Sequence, residues 1–301
     1  TGSTLQNAVV LMIPDILNPY FAEMARGIED EARRDGLMTV LIDTTEDPER
    51  EEQVLRTLGR QPLGGVILCG SRLTAEQLLA AWTRYRVPMV VVNRSLRHPD
   101  IPCVIVDWAN ATYRATRHLF DLHHSRIAVI TGPAAAEAAQ ARLRGIEQAL
   151  TEAGLTLPAE WAISSLPNES GGFQAMSSLL SLPPQDRPTA VIVYNDIMAL
   201  GALHAARAQH LRVPEDISVI GFDDIPMAAH ANPPLTTIAQ PKYRIGRLAM
   251  QLLRRVMQGD PSPGEGYALM ESPLIVREST GPAPAGAGIT SDVQDGEGGG
   301  A

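Results

Sequence analysis

The sequence predicts an α/β protein with two similar lobes, each a doubly wound parallel sheet. Short β-branched runs alternate with amphipathic stretches along most of the chain. The predicted strands are almost wholly apolar, which is typical of parallel sheets that helices cover on both faces. The alternation occurs twice, over about 100 residues each time, and no Gly/Ser-rich linker separates the two series.

The first series opens with a strand over residues 7–13 and a helix over residues 19–36. Asn18 supplies an N-cap before Pro19 at the first helical position, and Gly36 suits the C-terminal stop. Further strands are predicted at residues 37–42, 64–69 and 88–92, and further helices at residues 48–59 and 74–85.

The second series begins after a strand over residues 104–107. Its strands are predicted at residues 126–131, 160–164, 189–193 and 217–221, and its helices at residues 108–122, 137–153, 168–181 and 196–210. Residues 281–301 are rich in Gly and Ala, carry few apolar side chains and are expected to form a flexible tail.

Composition excludes several classes of protein. The formal charge is −9, from 25 basic and 34 acidic residues, which argues against these residues alone wrapping nucleic acid. Lys242 is the only lysine, so the GK[ST] of a phosphate-binding loop is absent.

No apolar run is long enough for a membrane helix. The N-terminus shows neither a signal segment nor an initiator Met, as in a processed or shortened chain. Cys69 and Cys103 lie in strand-like runs and read as buried thiols, so we expect a cytoplasmic protein with no membrane partner.

Polar residues follow the strands of both predicted sheets. In open α/β sheets ligands bind beyond the carboxyl ends of the strands, and two facing lobes would bring these ends to one cleft. Carboxylates, amides and an Arg beside aromatic rings suit a polar neutral molecule. The candidates are Asp15, Asn18, Tyr20, Phe21, Ser71, Asn93, Arg94, Glu137, Gln140, Arg142, Asn195, Asp196, Asp223 and Asp224.

Each candidate also has a purely structural interpretation. Asn18 and Asn195 could simply cap helices, and Tyr20 could belong to the core. Asp223 and Asp224 could form an ordinary turn, although two acids directly after a buried strand favour a site.

Catalytic alternatives lack support. The chain has no GxSxG elbow and no GxGxxG. His118, His123 and His124 cluster without the Cys, Asp or Glu that would complete a metal set at ligand spacing. An enzyme on this scaffold is possible but unsupported, and we expect no catalytic residues, no metal and no cofactor.

Five segments, in matching order and spacing over residues 7–280, resemble the lactose-repressor (LacI-type) family of bacterial transcription regulators. They are PDILNPYF (14–21), NDIMALGA (195–202), VPEDISVIGFDD (213–224), PPLTTIAQP (233–241) and LIVREST (274–280).

The resemblance implies a periplasmic-binding-protein-like effector domain whose lobes close on a small molecule. It also implies a homodimer or homotetramer that binds operator DNA through an N-terminal helix-turn-helix, an element absent from this chain. The family's effector contacts carry over to Asp15, Asn18, Tyr20, Phe21, Ser71, Asn93, Arg142, Asn195 and Asp223. Pro167 stands about where certain members carry a stacking aromatic. Trp108 follows Asp107 where the family usually has Asn, and either supplies a ring or packs beside the hinge.

The sequence is thus interpreted as the effector-binding and dimerisation domain of a cytoplasmic, sequence-specific repressor. A sugar is the first expectation for the effector, and a nucleoside or purine is the second. The alternative is a solute (sugar)-binding protein of a transport system. The first lobe is expected to comprise residues 1–107 and about 239–260, and the second residues 108–238 and about 261–280, with crossings near 107, 238 and 260.

Overall fold

The protein consists of two lobes, each built on a six-stranded sheet. In the computed structural model, residues 6–260 and 267–284 are described. The first series comprises β1 (Ala8–Ile13), α1 (Pro19–Arg34), β2 (Met38–Asp43), α2 (Pro48–Leu58), β3 (Gly65–Cys69), α3 (Ala75–Tyr85), β4 (Met89–Val92) and β5 (Cys103–Val106). The second comprises α4 (Trp108–Asp121), β6 (Ile127–Thr131), α5 (Glu137–Glu152), β7 (Ala162–Ser164), α6 (Glu169–Leu180), β8 (Ala190–Val193), α7 (Asp196–Ala208), β9 (Ser218–Asp223) and β10 (Thr236–Ala239). The chain then adds α8 (Lys242–Met257), β11 (Tyr267–Met270) and β12 (Leu274–Ile275).

The first sheet has the order β11-β5-β4-β3-β1-β2, and all its strands are parallel. The second has the order β12-β10-β9-β8-β6-β7, and only β12 runs antiparallel in it. Both are doubly wound, because β1 lies between β2 and β3 and β6 lies between β7 and β8. The predicted fold class is confirmed, and each predicted strand and helix lies within about two residues of its expected bounds.

Local sequence explains where the helices begin. The Asn18 side chain caps α1 by accepting a hydrogen bond of 3.0 Å from the Tyr20 backbone N–H, and Pro19 occupies the first helical position. The Asn195 side chain caps α7 in the same way, at 2.8 Å from the Met198 backbone nitrogen. Both caps lie at the carboxyl edges of their sheets, so each of these Asn side chains can cap a helix and also lie beside a ligand.

Helix α8 packs against α1 in the first lobe. Glycines where the two helices touch allow their close approach. A Cβ on Gly246 would lie 2.1 Å from the Met24 carbonyl oxygen, and one on Gly27 would lie 2.2 Å from the Tyr243 carbonyl oxygen. The buried Glu31 carboxylate also receives Arg247 at 2.6 Å and Arg254 at 3.2 Å, both from α8.

The chain passes between the lobes at residue 107, at residues 240–241 and at residues 271–273, as the strand assignments require. The third crossing differs from expectation. Residues 267–270 do not join the second lobe but pair with β5 in parallel, from Tyr267 opposite Cys103 to Met270 opposite Val106. The reason is that β5 has a free edge which this segment covers before the chain crosses.

Residues 281–284 differ from the expected flexible tail. Gly281 is buried, its N–H donates to Ser218 Oγ at 3.1 Å, and the Ala283 N–H donates to the Leu122 carbonyl at 2.8 Å. These backbone bonds hold residues 281–284 on the second lobe. Residues 285–301 lie outside the described residues.

Two further expectations concern the cysteines and membrane-spanning helices. Cys69 and Cys103 are buried free thiols, as predicted. Within residues 6–260 and 267–284, no helix combines the length and apolarity needed to cross a bilayer.

Candidate functional site

The carboxyl edges of both sheets face one cleft of about 640 Å³, its open mouth included. All nine residues predicted as effector contacts line it: Asp15, Asn18, Tyr20, Phe21, Ser71, Asn93, Arg142, Asn195 and Asp223. The structure therefore brings the whole predicted set together, and their role as effector contacts stays a prediction.

Asp223 ends β9 and is 4% exposed. Its carboxylate accepts a hydrogen bond of 2.6 Å from the Gln240 amide, and the Arg142 guanidinium lies 4.0 Å away. Burial raises the pKa of Asp223 to about 6, although Arg142 and Gln240 oppose the rise. The cleft thus contains an acceptor that one added hydroxyl or amide donor would stabilise in its charged form.

Arg142 lies on α5 and is held by aromatic rings of the second lobe. Its guanidinium carbon is 3.7 Å from the centre of the Phe222 ring and 4.5 Å from that of Tyr194, and it donates to the Tyr194 carbonyl. Stacking and the carbonyl bond fix the orientation of the cation before any ligand arrives, which lowers the entropy cost of using it.

A chain of hydrogen bonds joins the lobes along the floor of the cleft. The Asn93 amide donates to the Tyr20 hydroxyl at 2.9 Å, Tyr20 donates to Gln240 Oε1 at 3.4 Å, and Gln240 donates to Asp223. Burial, and then the nearby Asp223, raise the pKa of Tyr20, so the phenol remains a neutral donor. Asn93 Oδ1 is buried without a partner in the described residues and is an available acceptor.

Several lining residues were not predicted as contacts. Glu46 and Arg72 form an ion pair on the first-lobe wall, with Arg72 Nη2 at 2.9 Å from Glu46 Oε1. Glu46 lies just beyond β2, a strand whose carboxyl end supplied no candidate, and Arg72 directly follows Ser71. Tyr194 directly precedes the predicted Asn195, and Gln240 lies within the PPLTTIAQP segment, but the sequence did not mark either side chain as a contact. Arg94 and Glu137, candidates that the family pattern did not select, also line the cleft.

Other candidates lie outside the cleft. Asp196 is buried behind it, accepting hydrogen bonds from Thr237 Oγ1 at 2.6 Å and from the Ile225 N–H at 2.9 Å. Burial, and then Asp223, raise its pKa. Asp224 instead pairs with Arg277 at 2.7 Å. Trp108 is 3% exposed and absent from the lining, so it packs beside the hinge rather than supplying a ring to the cleft.

The histidine cluster forms structural contacts. His124 is fully buried, with Nδ1 at 2.9 Å from Thr189 Oγ1 and Nε2 at 3.0 Å from Ser218 Oγ. Among the described residues, no group of three or more His, Cys, Asp or Glu side chains is arranged to hold a metal ion.

Two doubly wound lobes, three crossings and a polar cleft between the lobes define a periplasmic-binding-protein-like domain. A model of that domain family, described as a periplasmic binding protein-like domain, matches residues 116–280.

Known relatives of this chain are transcriptional regulators. The HTH-type transcriptional repressor CytR of Escherichia coli (strain K12) is 38% identical over 276 residues, which are 92% of this chain and 80% of that protein. The ribose operon repressor of Haemophilus influenzae is 35% identical over 273 residues, 89% of this chain and 80% of that protein. A crystal structure of a LacI family transcriptional regulator from Mycobacterium smegmatis superposes with a TM-score of 0.82 at 31% identity, over 91% of this chain and 99% of that one. The chain belongs to the LacI family of transcriptional regulators, as the sequence motifs indicated.

Proposed function

We propose that this chain is the effector-binding and dimerisation part of a cytoplasmic repressor, and that its effector is a small polyhydroxy molecule bound between the lobes. The observation that carries the proposal is the buried Asp223 carboxylate with Arg142 beside it, facing the cleft. A charge buried this deeply is costly unless a partner satisfies it.

A sugar satisfies these groups best. Neighbouring hydroxyls can donate to the Asp223 carboxylate and accept from the Arg142 guanidinium, while Asn93 Oδ1 accepts one more donor. The edge-to-face pair of Tyr20 and Phe21, with ring centres 5.0 Å apart, offers an apolar wall for a ring face. One relative is named as a ribose operon repressor, which supports a sugar. A nucleoside or purine is the second choice, because the same amide and carboxylate groups can read base edges.

The proposed mechanism is a population shift between two relative angles of the lobes. Three short crossings form a hinge without a flexible linker, and an effector that contacts both lobes favours the angle that allows both sets of contacts. In a homodimer or homotetramer, that angle would set the spacing of helix-turn-helix domains on operator DNA. The CytR relative is named as an HTH-type repressor, that is, one of the helix-turn-helix type.

A thermal-shift screen tests the site directly. D-ribose, D-galactose, cellobiose, cytidine and adenosine would each be added to the purified chain. At about 100 times Kd, a ligand of the native state stabilises by about 2.7 kcal/mol, enough to raise Tm by several degrees. Asp223→Ala and Arg142→Ala are expected to abolish the shift, whereas Asp100→Ala, an exposed acid outside the cleft, retains it. A shift that survives both cleft substitutions would contradict the proposal.

A further inference from the structure

The backbone that presents Asp223 adopts an unusual conformation. Asp223 has φ 117° and Asp224 has φ 53°, so two consecutive non-glycine residues lie at positive φ. L-residues rarely adopt such angles, and they persist only where surrounding contacts hold them. The direction of the Asp223 side chain follows from this backbone, so whatever stabilises it also determines where the cleft presents its carboxylate.

Lys242 contacts the backbone carbonyls of both residues. Its Nζ donates to the carbonyl oxygens of Asp223 and Asp224, each at 2.8 Å, and lies 3.4 Å from Glu23 Oε2. An ammonium has three N–H donors, and these three acceptors match them. The Asp223 carbonyl also accepts the Gln240 backbone N–H at 3.5 Å.

The placement of Lys242 is otherwise unfavourable. It is 4% exposed and is the first residue of α8, where the helix dipole disfavours a cation. The two carbonyls and Glu23 compensate both the burial and the dipole. Lys242 is also the only lysine in the chain.

We infer that Lys242 is a positioning residue, which fixes the Asp223–Asp224 backbone so that the Asp223 carboxylate faces the cleft. Lys242 and Glu23 belong to first-lobe helices, whereas the two carbonyls lie at the carboxyl end of the second-lobe strand β9, so the same ammonium links the lobes beside the hinge. Gln240 donates to the carboxylate of Asp223 while Lys242 donates to its carbonyl oxygen, so both the side chain and the backbone of Asp223 are held in place. The inference rests on the proposed function only in treating Asp223 as an effector contact.

The test combines a crystal structure with binding of two probes, D-ribose and adenosine. In Lys242→Met we expect the 223–224 backbone to leave positive φ and the Asp223 carboxylate to separate from Gln240. Affinity for whichever probe binds the unsubstituted protein should fall about 10- to 100-fold, the range expected for losing a hydrogen-bonded charge. Adding Asp224→Gly should restore much of the affinity, because glycine adopts positive φ without strain.

Arg247→Met is the matched control, because it removes a cation from the same helix whose partner, Glu31, lies within the first lobe. It should leave the Asp223 backbone and the probe affinity unchanged. A Lys242→Met structure that retains both positive φ angles and the Gln240 bond overturns the inference. If Lys242→Met does not fold, it is expected to fold in the Asp224→Gly background, and failure there also overturns the inference. If neither probe binds the unsubstituted protein, the proposed function loses support, while the crystal structures still decide the role of Lys242.

Discussion

At the scale of single residues, Asp223 combines burial with a functional position. Burial raises its pKa to about 6, above the value of 3.8 for a free Asp, and the nearby buried Asp196 adds a second acid behind it. The folded chain therefore binds this proton more tightly than the unfolded chain. The raised pKa of Asp223 therefore contributes to the free energy of unfolding in full below about pH 4, and this contribution is lost as the pH rises through 6. An effector that donates hydrogen bonds to the carboxylate favours the opposite, ionised form.

Effector affinity is therefore expected to depend on pH. Affinity for a sugar or nucleoside found in the screen should be constant above about pH 7. It should weaken below pH 6, by at most about tenfold per pH unit, because one proton must be displaced. Calorimetric titration from pH 5 to pH 8 measures this. Asp223→Asn should bind weakly with no such dependence, and tighter binding of the unsubstituted protein at acid pH would refute the assignment.

At the scale of elements, the pairing of α1 with α8 holds the returning chain in the first lobe. The helices approach so closely that Gly27 and Gly246 have no room for a side chain. Since α8 begins with Lys242, two residues after Gln240, the position of α8 against α1 also determines where these two residues lie beside the cleft.

Gly246→Ala is expected to destabilise the protein by about 1–3 kcal/mol, because the added methyl would meet the Met24 carbonyl and force the helices apart. Thermal unfolding would show a Tm lower by several degrees. Arg244→Ala, on the exposed side of the same helix, should change stability by no more than about 0.5 kcal/mol. An unchanged Tm for Gly246→Ala would mean that the helix pair adjusts without cost.

At the scale of the whole molecule, one edge of the first sheet borders a groove beside α1. The edge strand β2 exposes Met38 (54%) and Leu41 (37%), beside the outer face of α1, and these residues share one groove. Exposed apolar residues on a sheet edge favour association and are normally covered. A second copy of the chain would cover them, in keeping with the proposed homodimer.

Leu41→Glu should therefore convert the protein from a dimer to a monomer of 32.4 kDa. The physical reason is that a charge buried in an apolar interface is not compensated. Light scattering during size exclusion measures the mass. Leu269→Glu places the same charge on β11 at the opposite edge of the sheet and should leave the dimer intact. A Leu41→Glu dimer would exclude this face as the interface.

Much of this organisation follows from local patterns. Apolar periodicity marks the strands and helices, and Asn18-Pro19 and Asn195 mark two helix starts, because these signals depend on residues only a few positions apart. Since parallel strands end at one edge of a sheet, their order in the sequence already predicts that the residues following them share one cleft.

The sequence by itself determined the two-lobed α/β fold, the family and nine side chains that line the cleft. Only the tertiary structure placed β11 on the first sheet, Asp196 behind the cleft, and Gln240 and Lys242 against Asp223. Each of these depends on partners far apart in the chain. Strand pairing at a free edge, and the meeting of α8 with the end of β9, arise from packing between distant segments, and local sequence carries no signal of them.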